Sequence, residues 1–220
     1  MTTPPVAEPV SLSDMKDWIR QDQSFDNNLI MAQISAARAT IEQWTGLQIM
    51  PAAFTLQLDQ FPIPQLGVYS PGSPFTEAPI MSNRFPITPD IWAIRVKKFP
   101  LIAVNSIVYV DGNQTQQTLA TSAYSVDTAS RVPRIWPSPG GYWPTSAMQP
   151  GAVQISFTAG FQGAGGASDT TAVPTPIIQA IKLLASHWYE NREAVSMGVK
   201  PTALPMGVDS LIAEYKVSPL

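Results

Sequence analysis

His187 is the only histidine in the sequence, so any imidazole chemistry must run through it. A lone imidazole excludes a multi-histidine metal site and leaves one candidate base for a Ser–His–Asp arrangement. Its neighbour Ser186 would have to be the nucleophile, yet consecutive helical residues point about 100° apart and do not form a nucleophile–base pair. No G-x-S-x-G elbow is present. Glu190 and Glu193 stand three apart with Arg192 nearby, the pattern of a surface ion-pair cluster. Asp26-Asn27-Asn28 lacks the remainder of a calcium loop. Gly163-Ala164-Gly165-Gly166 has the glycines of a phosphate loop, but Ala-Ser-Asp-Thr-Thr follows where Lys and Ser/Thr are required; a flexible linker is expected there. No acid, base and nucleophile converge. A structural role is expected for His187, with no enzymatic activity, no metal and no cofactor.

Binding chemistry is constrained by charge. Thirteen Lys and Arg are outnumbered by sixteen Asp and Glu, for a net charge of −3. A protein that grips phosphates needs a basic footprint, and Lys97–Lys98 and Arg131/Arg134 are the only local basic concentrations. Trp136, Tyr142 and Trp143, set among prolines and glycines, would be stacking platforms in a single-strand binder, but the basic groove is missing, which favours core packing or a protein interface. Charged residues make up only 13% of the chain, about half the usual share. Its exterior is therefore either a partner surface or simply rich in Gln, Thr and Ser. The absence of cysteine excludes disulfides, thiolate catalysis and Cys-based zinc sites. Met1–Val10 has neither the basic start nor the apolar run of a signal peptide, and no stretch reaches the roughly 20 apolar residues that span a bilayer. A soluble protein with no membrane partner is expected.

The elements that position these residues are helical at both ends. A first helix is predicted from Ser11 or Ser13, carrying Leu12, Met15, Trp18 and Ile19. A second, capped by Ser24 or Asp26, shows a stripe of Ile30, Ile34, Ala37, Ile41 and Trp44 at helical spacing and stops at Thr45-Gly46. Phe54, Leu56 and Leu58 then alternate as in a strand. From Pro62 to Pro89 prolines recur every few residues, which predicts an extended loop, either a binding arm or a surface insertion. Strand patterns resume at 92–97, 104–110, 114–119, 123–127, 134–136 and 152–157. Asp111-Gly112 between two of them predicts a hairpin; the sequon Asn113-Gln114-Thr115 belongs to that turn. Helix returns after Val173, with Pro174 and Pro176 in its first turn and Ile177, Ile181, Leu184 and Trp188 as its stripe. A short last helix is expected over 208–215. The fold class expected is α+β: a helical bundle from residues 1–50 and 173–220, packed around Ile30, Ile34, Ile41, Trp44, Ile177, Ile181, Leu184 and Trp188. An antiparallel β segment, 51–172, is inserted between them and bears a proline-rich arm at about 62–91.

The order of these blocks resembles the head–tail connector (adaptor) proteins of tailed phages. Pro9-Val10-Ser11-Leu12-Ser13-Asp14-Met15-Lys16 is similar to that family's opening, and Ile34 to Gly46, with Ala36-Ala37-Arg38 and Ile41-Glu42-Gln43-Trp44-Thr45-Gly46, to its second helix. Tyr124-Ser125-Val126-Asp127 and Pro150-Gly151-Ala152-Val153 to Ala159-Gly160-Phe161 look like its β segment. The sharpest block is Val173-Pro174 through His187-Trp188-Tyr189-Glu190-Asn191-Arg192-Glu193-Ala194, followed by Leu204-Pro205 and Leu211 to Tyr215. The proline-rich insertion departs from the pattern. The resemblance implies a virion protein of the neck, made in the host cytoplasm. It would form a ring, usually of twelve subunits, that docks on the portal protein, extends the DNA channel and receives the next neck or tail protein. Genomic DNA would pass close by without specific contact.

Within that frame, Met197, Val199, Leu204, Met206, Val208, Leu211 and Tyr215 are expected to dock on the portal. Pro71, Phe75, Ile80 and Phe85 of the arm are expected to touch a neighbouring subunit or the next neck protein. The competing expectation is a carbohydrate- or host-surface-binding β module of a phage tail, with Trp136, Tyr142 and Trp143 as exposed sugar platforms.

Overall fold

In the computed structural model, residues 1–62, 92–191 and 206–216 are described. They form four α-helices and two sheets, a mixed helix and antiparallel-sheet protein of α+β type. The chain divides into two compact units. One comprises Met1–Thr55, Lys97–Ala103 and Phe157–Leu220; the other comprises Leu56–Val96 and Val104–Ser156. Residues 51–55, 97–103 and 157–172, all within the β segment expected over 51–172, group with the helices.

The helical unit begins with α1 (Leu12–Ile19). The Ser11 side chain caps it by accepting from the Asp14 amide at 3.0 Å, and Arg20 ends it in the left-handed conformation. Helix α2 (Asn27–Thr45) starts after Asp26, whose carboxylate makes no capping bond, and ends at Gly46 with φ 75°. Its buried stripe is Ile30, Ile34, Ala37, Ile41 and Thr45. Thr45, not Trp44, takes the last inward position; its hydroxyl is satisfied by the Ile41 carbonyl at 2.7 Å. Helix α3 (Thr175–Glu190) has Pro174 as N-cap and buries Ile177, Ala180, Ile181, Leu184 and Ala185. Helix α4 (Met206–Ile212) runs into the 3-10 turn Ala213–Tyr215. Helix α2 packs on α3, α3 on α4, and α1 touches both α2 and α3. Helices from both ends of the sequence thus share one apolar cluster. Burial of about 1.5–3 kcal/mol per large aliphatic side chain drives this packing, because no single amphipathic helix can cover its own stripe.

The strands are β1 (Ala52–Leu58), β2 (Ile94–Arg95), β3 (Leu101–Val110), β4 (Gln116–Thr118), β5 (Tyr124–Asp127), β6 (Arg134–Pro137) and β7 (Val153–Ala159). They make a four-stranded sheet in the order β1-β7-β3-β4 and a three-stranded sheet β2-β6-β5. The β3–β4, β2–β6 and β5–β6 pairs are antiparallel. Only Ile94–Arg95 of the expected 92–97 strand is laddered. The predicted hairpin joins β3 to β4, but Gln114 (φ 61°), not Gly112, adopts the left-handed conformation. The Asp111 carboxylate decides this by accepting from the amides of Asn113 (2.8 Å) and Thr115 (3.0 Å). Those bonds shape the longer hairpin loop, a turn followed by one left-handed residue, rather than the two-residue form.

The segment after β7 is ordered, not a bare linker. Asp169 accepts from the amides of Gly165 (2.7 Å) and Thr171 (2.8 Å) and closes the glycine loop on itself. A side chain at Gly163 would collide with that carboxylate. At Gly160 (φ 138°) a Cβ would lie 2.6 Å from the Met50 backbone, so only glycine fits.

Candidate functional site

His187 is exposed on the last turn of α3, with Nδ1 3.3 Å from the Asn191 side-chain amide. The Ser186 hydroxyl donates back to the Leu183 carbonyl at 3.0 Å, the ordinary way a helical serine satisfies itself. Asn191 also donates to the His187 carbonyl at 2.9 Å and so caps the helix. Tyr189 reaches across the helical unit. Its hydroxyl donates to Asp26 at 2.7 Å and accepts from Gln21 at 3.1 Å, tying the end of α3 to the α1–α2 connection. The most distinctive sequence block therefore holds capping and bracing residues. Among the described residues, no group of three or more His, Cys, Asp or Glu could hold a metal ion.

A buried ionic cluster lies beneath α2. Arg38 donates to Glu8 through Nε (2.7 Å) and Nη2 (3.2 Å), and to Glu42 through Nη1 (3.0 Å). The other oxygen of Glu42 accepts from Gln48 Nε2 (2.8 Å) and the Ile49 amide (2.9 Å). Burial opposes the charge on Arg38, but the two carboxylates outweigh it and raise its pKa. The cluster fixes the N-terminal segment and the exit of α2 on the same helix. Sequence reasoning missed it. The one signal available was a charged pair four residues apart on the inward side of an otherwise apolar stripe.

The predicted contact residues fall into three groups. Pro71, Phe75, Ile80, Phe85, Met197, Val199 and Leu204 lie outside the described residues, as do Arg192, Glu193 and the side chain of Met206. Ile30, Ile34, Ile41, Ile177, Ile181 and Leu184 are buried in the helical cluster, and Trp44 and Trp188 are partly buried against it. Val208, expected at the portal, is fully buried in that same cluster with Ile212, and Leu211 and Tyr215 are partly buried against it. A side chain that holds α4 on α3 is not free to dock elsewhere, so Val208 is a core residue.

The aromatic trio separates in the same way. Trp143 is buried, stacked on Phe61 at 5.1 Å, and donates from its indole to the Trp92 carbonyl at 2.7 Å. It is a core residue, not a sugar platform. Trp136 is half-buried with the Arg134 guanidinium 5.6 Å from its ring centre. Arg134 in turn pairs with Asp127 at 3.0 Å, which removes it from any basic patch. Tyr142 alone of the three is open, 76% exposed, with Trp92 beside it at 5.6 Å. Other large apolar side chains also stand in solvent: Trp18, Phe25, Leu29 and Met31 around α1 and α2, and Met148 in the β unit. Met1 and Val6 are exposed as well, so the open apolar groups of the described residues are spread over both units.

No protein-family model and no curated protein matches the sequence. Solved structures do. A chain from the neck of an empty gene transfer agent (GTA) particle, computed with C6 symmetry, is 21% identical, with a TM-score of 0.68, over 100% of this chain and 97% of that one. A chain from the virion of a native gene transfer agent particle gives the same values. One from the neck of a native GTA particle, computed with C12 symmetry, is 22% identical with a TM-score of 0.65 and the same coverage. This chain has the fold of those chains from end to end.

Proposed function

We propose, from the fold shared with the neck chains, that this protein is a structural, non-enzymatic subunit of the neck of a tailed phage or phage-like particle. In this reading it forms a ring that joins the portal to the tail or the next neck protein and extends the DNA channel. The observation that carries the reading is the full-length likeness to neck chains, reinforced by sequence blocks that resemble phage connectors across the same span. The C6 and C12 symmetry of the neck structures favours a homo-oligomeric ring, and twelve copies is the number the resemblance implies. The net charge of −3 suits a channel wall past which phosphates must slide.

The architecture this reading assigns is a helical body from both chain ends with the β segment inserted, supported by the single apolar cluster that α1 to α4 share. Portal contact is assigned to the C-terminal segment around Met197, Val199, Leu204 and Met206, with Leu211 and Tyr215 at its border. The arm with Pro71, Phe75, Ile80 and Phe85 is assigned to a neighbouring subunit or the next neck protein.

The test is electron microscopy of the full chain mixed with its portal protein. Rings capping one end of the portal are expected. Portals left undecorated at saturating protein would overturn the reading. Deleting the C-terminal segment is a poor probe of docking, because α4 carries Val208 and Ile212 of the core. The double substitution Met197→Asp with Leu204→Asp is the sharper one, expected to abolish decoration while leaving thermal unfolding unchanged. Normal decoration by that variant would move the portal contact elsewhere.

A further inference from the structure

We propose that residues 1–5 are an exchangeable strand, seated on β1 of their own chain in the free subunit and on β1 of the next copy in the ring. This inference rests on the ring reading above and names one contact through which neighbouring copies would hold each other.

Strand β1 is an outer strand of its sheet, and its outward edge already carries an extended segment. Thr2 and Thr3 donate their amides to the Ala53 carbonyl at 2.8 and 3.3 Å, and the Ala53 amide donates to the Thr3 carbonyl at 3.2 Å, an antiparallel rung. Beside it the hydroxyls of Thr2 and Thr55 lie 3.1 Å apart. The occupant of this edge is thus part of the chain itself, and the same segment from a second copy would find the same partners. Strand addition of this kind draws its affinity from main-chain hydrogen bonds.

The segment is held unequally along its length. At its root Glu8 accepts from Arg38 Nε (2.7 Å) and Nη2 (3.2 Å), and Pro9 and Val10 are buried. At its tip Thr2 and Thr3 are exposed and rest on the one rung and the hydroxyl contact. Between root and tip the chain bends at Val6 and Ala7, and Val6 is 78% exposed. Among the described residues, the backbone of residues 4–9 makes no hydrogen bond to other backbone. A lightly held tip on an unbonded hinge opens locally, without the rest of the unit. Desolvation offsets much of the attraction in a buried ion pair, so such a pair adds little to stability. What Glu8 and Arg38 secure is position: opening at Val6 and Ala7 swings the tip while the root stays in place.

Exchange then costs little. The bonds broken on the chain's own β1 are the bonds made on the neighbour's, and swapping an identical element is a low-cost route to assembly. In the free subunit the internal seat wins, because the short tether keeps the tip close to it. In a ring the other contacts between copies hold the neighbour's β1 in place as well. Thr3 stands five residues before Glu8 and reaches about 17 Å from the root when extended. Each copy gives one strand and receives one, a head-to-tail contact of the kind that closes a ring. The edge of β1 stays covered in both states, by the chain's own strand or by the neighbour's.

The sequence contains no cysteine, so disulfide trapping in the full chain tests the exchange. Thr3→Cys and Ala53→Cys occupy the opposed positions of the rung and are made singly and together. Rings are assembled alone or with the portal protein and followed by mass photometry. Rings built from an equal mixture of the two single variants, then oxidised, are expected to yield covalent dimers. The double variant oxidised within the ring is expected to yield a ladder of dimer, trimer and higher products. Only monomers in either case would overturn the proposal, as would dimers no more abundant in the mixture than with one single variant alone. The double variant oxidised while dilute should close on itself as a monomer, assemble at least tenfold less readily, and recover on reduction. Undiminished assembly by that locked monomer would equally sink the exchange. A wild-type chain that forms no rings in either condition would instead overturn the ring reading on which the proposal stands.

Discussion

Single carboxylates organise the turns of this protein, and one of them gives a pH signature. Asp127 accepts from the Ser130 hydroxyl (2.5 Å), from Arg134 Nη2 (3.0 Å) and from the amides of Ala129 (3.1 Å) and Ser130 (3.2 Å). The Ser130 and Arg134 side-chain bonds, in that order, hold its pKa down to about 2. A carboxylate whose folded pKa lies below its unfolded value stabilises the fold above the unfolded pKa, near 3.9, and loses that contribution as pH falls toward the folded one. The Asp127→Asn variant should therefore melt below wild type from pH 7 down to pH 5, with the gap closing between about pH 4 and pH 2. Circular dichroism melts across that range would reveal it; a gap that stayed constant to pH 2 would mean the carboxylate is not what holds the turn. At this scale little was legible in the sequence. Asp111-Gly112 announces a turn, but the residue that goes left-handed is Gln114, because the Asp111 side chain, not the glycine, sets the loop.

Elements were the most legible level. Helix α2 follows from Ile30, Ile34, Ala37 and Ile41 recurring at helical spacing, and α3 from Ile177, Ile181 and Leu184, because a buried stripe imposes its period on the sequence. What periodicity does not reveal is how deep each position sits. Trp44 and Trp188 fit their stripes, yet both are only partly buried, while Leu184 is 1% exposed. Leu184→Ala should then cost about 2–5 kcal/mol and Trp188→Ala less than Leu184→Ala, the reverse of what side-chain size suggests. Urea unfolding followed by far-ultraviolet circular dichroism would rank them; a larger loss for Trp188 would place it deeper than the structure does. The ionic cluster of Arg38, Glu8 and Glu42 was illegible for another reason. Beyond the Arg38–Glu42 spacing of four, its partners are Glu8, 30 residues from Arg38, together with the Gln48 side chain and the Ile49 amide, and no local pattern encodes those. The surface role was half legible: Trp136, Tyr142 and Trp143 look alike in sequence, and only packing separates the buried Trp143 from the open Tyr142.

For the molecule as a whole, charge is scarce, at 13% of residues, and the function proposed above would set the chain among other proteins. Such a chain must also avoid pairing with the wrong ones, and its first residues bear on that. Thr2 donates its amide to the Ala53 carbonyl at 2.8 Å, Ala53 donates to the Thr3 carbonyl at 3.2 Å, and the hydroxyls of Thr2 and Thr55 lie 3.1 Å apart. Because β1 is an outer strand of its sheet, these residues occupy hydrogen-bonding groups that would otherwise recruit a foreign strand. Removing residues 1–5 is expected to leave the melting temperature within a few degrees of wild type but to raise static light scattering on concentration. A truncated chain as monodisperse as the full one would assign these residues no such duty. Thr2 and Thr3 would thus act as a selvedge, the woven border that keeps cloth from fraying into its neighbour.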